Sequence, residues 1–173
     1  ADEQMGRVLA ALEKTGEADN TIVVFSGDNG LAIGRHGLMG KQNMYDHSVH
    51  VPLIMAGPGV PRGEERDAPC YLLDIFPTLC DLAGLDIPDS VEGHSLAPNL
   101  RDPALPGRET LHFAYRECQR GVQQGAMKLL EYVGEDGTRN TQLFDTASDP
   151  FETTNLAERP EYADEVARLR REL

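Results

Sequence analysis

The chain has 173 residues, of which 29 are acidic and 16 basic, giving a formal net charge of -13, and its length fits one domain with at most an appendage. That charge opposes nucleic acid and anionic membrane surfaces as partners, so an anionic ligand would need local positive charge. No apolar run approaches the roughly 18 residues of a spanning helix, nothing at the start has the make-up of a signal peptide, and Cys70, Cys80 and Cys118 lack the number and spacing of a disulfide framework or a zinc site.

Met5, Val8, Leu9 and Leu12 form one helical stripe, with Gly16 placed to end it; a chain that opens in a helix without methionine is expected to be part of something longer. Thr21 to Phe25 is apolar without alternation, which predicts a strand covered on both faces in a parallel sheet. Ser26 to His50, with glycines at 30, 34, 37 and 40, reads as a long loop, and such loops in compact domains are usually functional. Val51 to Met55 predicts a second buried strand near a sheet edge because of Pro52, and Cys70 to Leu73 a third. Asp74 is placed to cap a helix that has Pro77 in its first turn, Ile75, Phe76, Leu79 and Leu82 on its buried face and Gly84 at its end. The prolines at 88, 98, 103 and 106 predict an irregular connection, with a boundary between residues 1–105 and 106–173. Beyond it, Leu111 to Tyr115, Met127 to Val133 and Gln142 to Asp145 predict a small antiparallel sheet. A helix after Pro160, with Tyr162, Val166, Leu169 and Leu173 on one stripe, should pack on it. The fold class is therefore α/β, a helix-and-parallel-strand part followed by an antiparallel subdomain.

An open parallel sheet binds its ligands beyond the carboxyl ends of its strands, and Asp28 and Asn29 follow directly on the first strand. A carboxylate beside a side-chain carbonyl supplies hard oxygen ligands, suited to calcium or magnesium before zinc, and Gly30 would let the backbone turn away. On residues alone a plain Asp-Asn-Gly turn explains the same string, since all three residues tolerate left-handed angles. A loop lysine such as Lys41 is, by default, solvated surface.

The longer string FSGDNGLAIGRHGLMGKQNMYDHSVHVPLIM, from Phe25 to Met55, resembles the sulfatase family within the alkaline phosphatase superfamily. The strand-end pair, the glycine-rich loop ending in Gly-Lys and the Val-Pro-Leu-Ile strand stand in the family's order. MGRVLAALEKTGEADNTIVVF, LLDIFPTLCDLAGL and QLFDTASDPFETTNL are similar to its flanking helix and strand, its next helix and its C-terminal turn. The resemblance implies the C-terminal part of an alkaline phosphatase-like sandwich. It also implies a divalent metal, Ca2+ before Mg2+ or Mn2+, held by Asp28 and Asn29, and Lys41 on the sulfate group and bridging ester oxygen of a sulfate ester substrate. His36 falls where the family often has histidine, as a catalytic candidate or as a loop brace. His50 stands where the family more often has arginine; His47, His94 and His112 carry no implied role.

The family's nucleophile is a formylglycine made within a Cys/Ser-x-Pro/Ala-x-Arg motif, and none of the three cysteines sits in one. The implied nucleophile and further metal carboxylates lie in a missing N-terminal part, so this chain is expected to be inactive by itself. A periplasmic or secreted parent is favoured over a cytoplasmic one, and the oligomeric state is unwritten. A phosphonate or phosphate ester hydrolase of the same superfamily is the alternative enzyme, and a non-catalytic binding module the alternative outside enzymes. The loop's Asp28, Asn29 and Lys41 together speak against the module.

Overall fold

The structure, a computed structural model, describes residues 1–173. In chain order it contains α1 (Asp2–Thr15), β1 (Val23–Ser26), β2 (Ala32–Ile33), β3 (Met39–Gly40), α2 (Asp46–Val49), β4 (Leu53–Ala56), α3 (Ile75–Ala83) and α4 (Ala97–Arg101). The meander β5 (Thr110–Tyr115), β6 (Gln119–Gln124), β7 (Met127–Val133) and β8 (Arg139–Asp145) follows, and α5 (Ala163–Arg170) ends the chain. Two compact units result, one from Ala1–Ser26 with Pro52–Gly107, the other from Gly27–Val51 with Arg108–Leu173. The loop after β1 thus belongs with the C-terminal sheet, a grouping made by contacts far apart in sequence.

In the first unit α1 forms where its stripe predicts and closes on Gly16, whose left-handed backbone (φ 77°) lets its N–H bond the Glu13 carbonyl. No residue of α1 is buried, and Val8 stays 69% exposed. The mixed α/β class holds, but three details of the expected sheet do not. β1 and β4 pair antiparallel, with Phe25 opposite Ile54, where parallel strands were expected. Both of those side chains are exposed, so within this chain the ribbon is covered on one face only. An unbroken apolar run signals the potential for two-sided burial; strand direction is set by how the chain returns, which no short pattern encodes.

The expected third strand at 70–73 is absent; Leu72–Asp74 is a 3-10 turn leading into α3. Asp74 does not cap α3 with its side chain. Its carboxylate accepts from Tyr71 N (2.7 Å) behind it and from His94 N (2.8 Å) across the unit. Thr78 Oγ1 accepts from Leu96 N and Asp81 from Ser95 Oγ, so the segment 93–97 is fastened to α3 by polar contacts. The buried face of α3 is accordingly Pro77, Thr78 and Cys80, while Phe76, expected inside, is 54% exposed. The irregular connection also holds one regular element, α4, because Pro98 falls in its first turn, where a missing N–H costs nothing.

The second unit is built on the antiparallel sheet, order β5-β6-β7-β8. Its strand β6 went unpredicted, since Gln119–Gln124 carries three glutamines, an arginine and a glycine around a single apolar Val122. Register explains it: Val122 stands opposite Leu129, which stands opposite Leu143, and all three are fully buried. Gly121 is needed beside them, because a Cβ there would lie 2.8 Å from Leu130 Cδ2. Val166 and Leu169 of α5, with Leu156, close this face, each large aliphatic side chain contributing about 1.5–3 kcal/mol by leaving water. Leu173, placed on the same stripe by its spacing, stays 42% exposed beyond the end of α5. Arg170 adds a second tie, donating to Glu131 Oε1 through Nε (2.8 Å) and Nη2 (2.6 Å). Burial works to raise the Glu131 pKa, but the Arg170 and Thr141 hydrogen bonds outweigh it and hold the carboxyl below its ordinary value.

The opposite face of the same sheet, with Leu130 and Phe144, packs against Met44 and Tyr45 from the 27–51 segment. That segment is the route to the candidate site.

Candidate functional site

The segment Ser26 to His50, expected as a long loop, contains a two-residue-per-strand hairpin, Ala32 opposite Gly40 and Ile33 opposite Met39, and the single-turn helix α2. The turn at Arg35–Gly37 places Gly34 (φ 83°), His36 (φ 54°) and Gly37 (φ 70°) in left-handed conformations. Lys41 leaves β3 directly. After Gln42 the chain enters the core, where Asn43, Met44 and Tyr45 are buried.

Asp28, Asn29 and Lys41 are brought together. Lys41 Nζ lies 3.6 Å from Asp28 Oδ2, with both side chains largely exposed. Asn29 Nδ2 donates to the Gly30 carbonyl (2.9 Å) and, at 3.4 Å, to the Lys41 carbonyl. Carbonyls only accept, so this pair of contacts fixes the amide orientation and leaves Oδ1 as the side-chain oxygen for a ligand. None of Asp28, Asn29 and Gly30 has a positive φ, so the left-handed backbone that makes Asp-Asn-Gly a common turn is not in use here.

Gly30 has a different role from the sharp turn expected of it. Its N–H bonds the Ser48 carbonyl (2.8 Å), and a Cβ at this position would lie 2.0 Å from the His47 carbonyl oxygen. Glycine is required for close approach, and it seats the Asp28-Asn29 pair against α2. Gly30→Ala is expected to destabilise the second unit by about 1–3 kcal/mol or more, since backbone must shift to admit the methyl. A urea midpoint unchanged from the parent chain would contradict this.

His36 lies at the hairpin tip rather than beside Asp28. Its ring stacks on Tyr45 (centroids 3.9 Å, 3° between planes), and Nε2 donates to the Phe151 carbonyl at 3.1 Å, which makes Nε2 the protonated nitrogen. Arg35 lies over the Phe151 ring at 4.6 Å. These contacts match the loop-bracing alternative. His50 is an exposed side chain with Nδ1 3.8 Å from Asp46 Oδ2, and His94 contributes only its backbone N–H to Asp74.

His47 extends the stack, 5.6 Å from His36 and 5.7 Å from Tyr45, and both its ring nitrogens are buried without a hydrogen-bond partner. Burial first, then the proximity of His36, Arg35 and Lys128, lowers its pKa below 6.5, against a smaller pull upward from Asp46. The unfolded chain therefore binds a proton at higher pH than the folded one. Stability from the neutral ring is complete above the unfolded value and is lost as pH falls through the folded one. The urea midpoint is expected to drop between about pH 7.5 and about pH 5.5, and to drop less in His47→Phe. Equal pH dependence in the two proteins would remove His47 as the cause.

The most deeply buried ionic group in this unit was not anticipated. Lys128 is fully buried, with Nζ 2.5 Å from Asp46 Oδ1, 2.7 Å from Glu152 Oε1 and 5.3 Å from the Phe113 ring centre. Glu152, 2% exposed, also accepts from Asp46 N (2.7 Å) at the start of α2. A signal existed in β7. Lys128, Leu130 and Tyr132 share one face by the two-residue alternation, and a lysine on a core face requires a buried partner.

No three His, Cys, Asp or Glu side chains converge on a metal position. Asp28 and Asn29 fit a hard cation as two of the six to eight oxygen donors that calcium takes.

The family description "N-sulphoglucosamine sulphohydrolase, C-terminal" matches residues 34–173. Arylsulfatase K of Danio rerio is 33% identical over 99% of this chain, which spans 35% of that relative's length. A solved structure holding its substrate D-glucosamine-2-N,6-O-disulfate superposes with a TM-score of 0.87 at 30% identity, over 99% of this chain and 37% of the other. A phosphonate monoester hydrolase from Silicibacter pomeroyi gives 0.81 at 30% identity, over 99% and 37%.

Proposed function

The chain belongs to the N-sulphoglucosamine sulphohydrolase C-terminal family of the sulfatases, and from that premise we propose that it is the C-terminal part of a metal-dependent sulfatase acting on sulfate esters. The observation that carries this is the convergence of Asp28, Asn29 and Lys41 on one exposed loop whose backbone is braced from behind. Arylsulfatase K and the disulfated-glucosamine complex among its relatives support sulfate esters as the substrate class.

In this reading Asp28 and Asn29 Oδ1 hold a divalent cation, calcium before magnesium or manganese, whose further ligands come from outside these residues. When bound, the cation offsets negative charge on the sulfuryl oxygens. Lys41 donates to a sulfuryl oxygen and to the bridging ester oxygen, where charge grows as the S–O bond breaks. Asp28, in ion-pair range, orients that ammonium. His36 braces the hairpin that ends at Lys41. The formylglycine nucleophile also comes from outside this chain, which has no Cys/Ser-x-Pro/Ala-x-Arg motif among its cysteines. The chain alone is accordingly inactive, and turnover of an aryl sulfate by the purified chain would sink the proposal.

The phosphonate monoester hydrolase neighbour favours one alternative, since the same cation and lysine would serve a phosphonate ester. Assay of the proposed longer enzyme on matched aryl sulfate, phosphate and phosphonate esters separates the two. Sulfate is expected to have the highest kcat/KM, and a dominant phosphonate activity would reverse the assignment.

A further inference from the structure

We propose that the turn Asp149–Glu152 is a clamp that positions both halves of the candidate site, with Glu152 as its positioning residue; the word "site" here rests on the reading of Asp28, Asn29 and Lys41 given above. The turn is itself rigid. Asp149 Oδ2 accepts from the backbone of Thr153 and Thr154 (each 2.8 Å), and Glu152 N bonds the Asp149 carbonyl (3.0 Å). From this base two arms reach into the 27–51 segment. Phe151 takes the hairpin tip, its carbonyl accepting from His36 Nε2 (3.1 Å) and its ring lying under Arg35. The hairpin leads straight to Lys41. Glu152 takes α2, one carboxylate oxygen on Asp46 N (2.7 Å) and the other 2.7 Å from Lys128, which in turn pairs with Asp46. α2 holds Gly30 through the Ser48 carbonyl, and Gly30 follows Asp28 and Asn29.

Two features mark the clamp as more than packing. Glu152 holds φ 54°, a conformation that side chains other than glycine rarely adopt, and such strain persists where surrounding contacts over-determine it, often at functional sites. Glu152 and Lys128 are buried, with Asp46 a quarter exposed beside them, and a buried ion pair stabilises poorly compared with apolar packing, which leaves the holding of one local geometry as its use here.

The test is amide hydrogen exchange on the full chain. In Glu152→Gln, exchange at Gly30 and at His50, whose N–H bonds the Asp46 carbonyl, is expected to quicken at least tenfold, with Val122 and Leu129 in the sheet unchanged. Lys128→Arg, which keeps the charge, should retain protection at Gly30. Uniform loosening of the sheet, or unchanged exchange at Gly30, overturns the clamp. If Glu152→Gln does not fold, Arg35→Ala tests the other arm with the buried charges intact. Faster exchange at Gly34 with Gly30 still protected supports the clamp, and an unchanged Gly34 overturns it. Exchange reads chain geometry alone, so a confirmed clamp in an enzyme without activity on sulfate esters would fault the functional reading and leave the clamp standing.

Discussion

Lys128→Met is expected to destabilise the second unit by about 3–5 kcal/mol, the largest stability effect of any single substitution considered for this protein. Methionine fills most of the lysine's volume, so the loss is not a cavity effect. It arises because Glu152 (2% exposed) and Asp46 are left as neighbouring carboxylates without the ammonium that sits 2.7 and 2.5 Å from them. The two carboxylates, both within salt-bridge reach of the same ammonium, then repel, and Glu152 is too buried for water to compensate. Urea unfolding followed by circular dichroism measures the change, with an unaltered slope showing that the unfolding reaction is the same one. A loss below about 1 kcal/mol, the range of exposed ion pairs, would show that the network is hydrated in solution.

Lys41→Ala is expected to behave in the opposite way. Its side chain is 52% exposed and its ion pair with Asp28 has an 88% exposed partner, so stability should change by no more than about 0.5 kcal/mol. In the proposed longer sulfatase, however, kcat on an aryl sulfate should fall about 10²–10³-fold, the scale of losing one donor to charge that develops in the transition state. If KM rose instead with kcat unchanged, Lys41 would be binding substrate and transition state equally, and its assigned role would be wrong. Paired with Lys128→Met, the measurement separates a residue kept for chemistry from one kept for geometry.

Much of this molecule was legible because its signals are local. The stripe Met5, Val8, Leu9, Leu12 with Gly16 delimits α1, and Gly84 ends α3. The alternation in Met127 to Val133 marks β7, and Val166 with Leu169 marks the buried side of α5. Each rests on neighbours within a turn or two of chain. The gathering of Asp28, Asn29 and Lys41 was also anticipated, from the resemblance of the whole loop and not from any one residue.

What failed to show in sequence depends on partners outside the segment's own residues. β6 has no hydrophobic rhythm and becomes a strand because β5 and β7 offer backbone partners on both sides. Gly30 reads as a turn glycine until His47, 17 positions on, proves to occupy the space of its missing side chain.

The sequence by itself determined α1, α3, α5 and three strands of the C-terminal sheet, because spacing and residue type decide those within short windows. Only the tertiary structure decided that β1 and β4 run antiparallel, that the loop joins the C-terminal unit, and that Glu152 reaches Lys128 and Asp46. Those outcomes depend on loop closure across tens of residues and on burying charge only where its counter-charge is already in place, conditions that exist in three dimensions and in no segment of the chain.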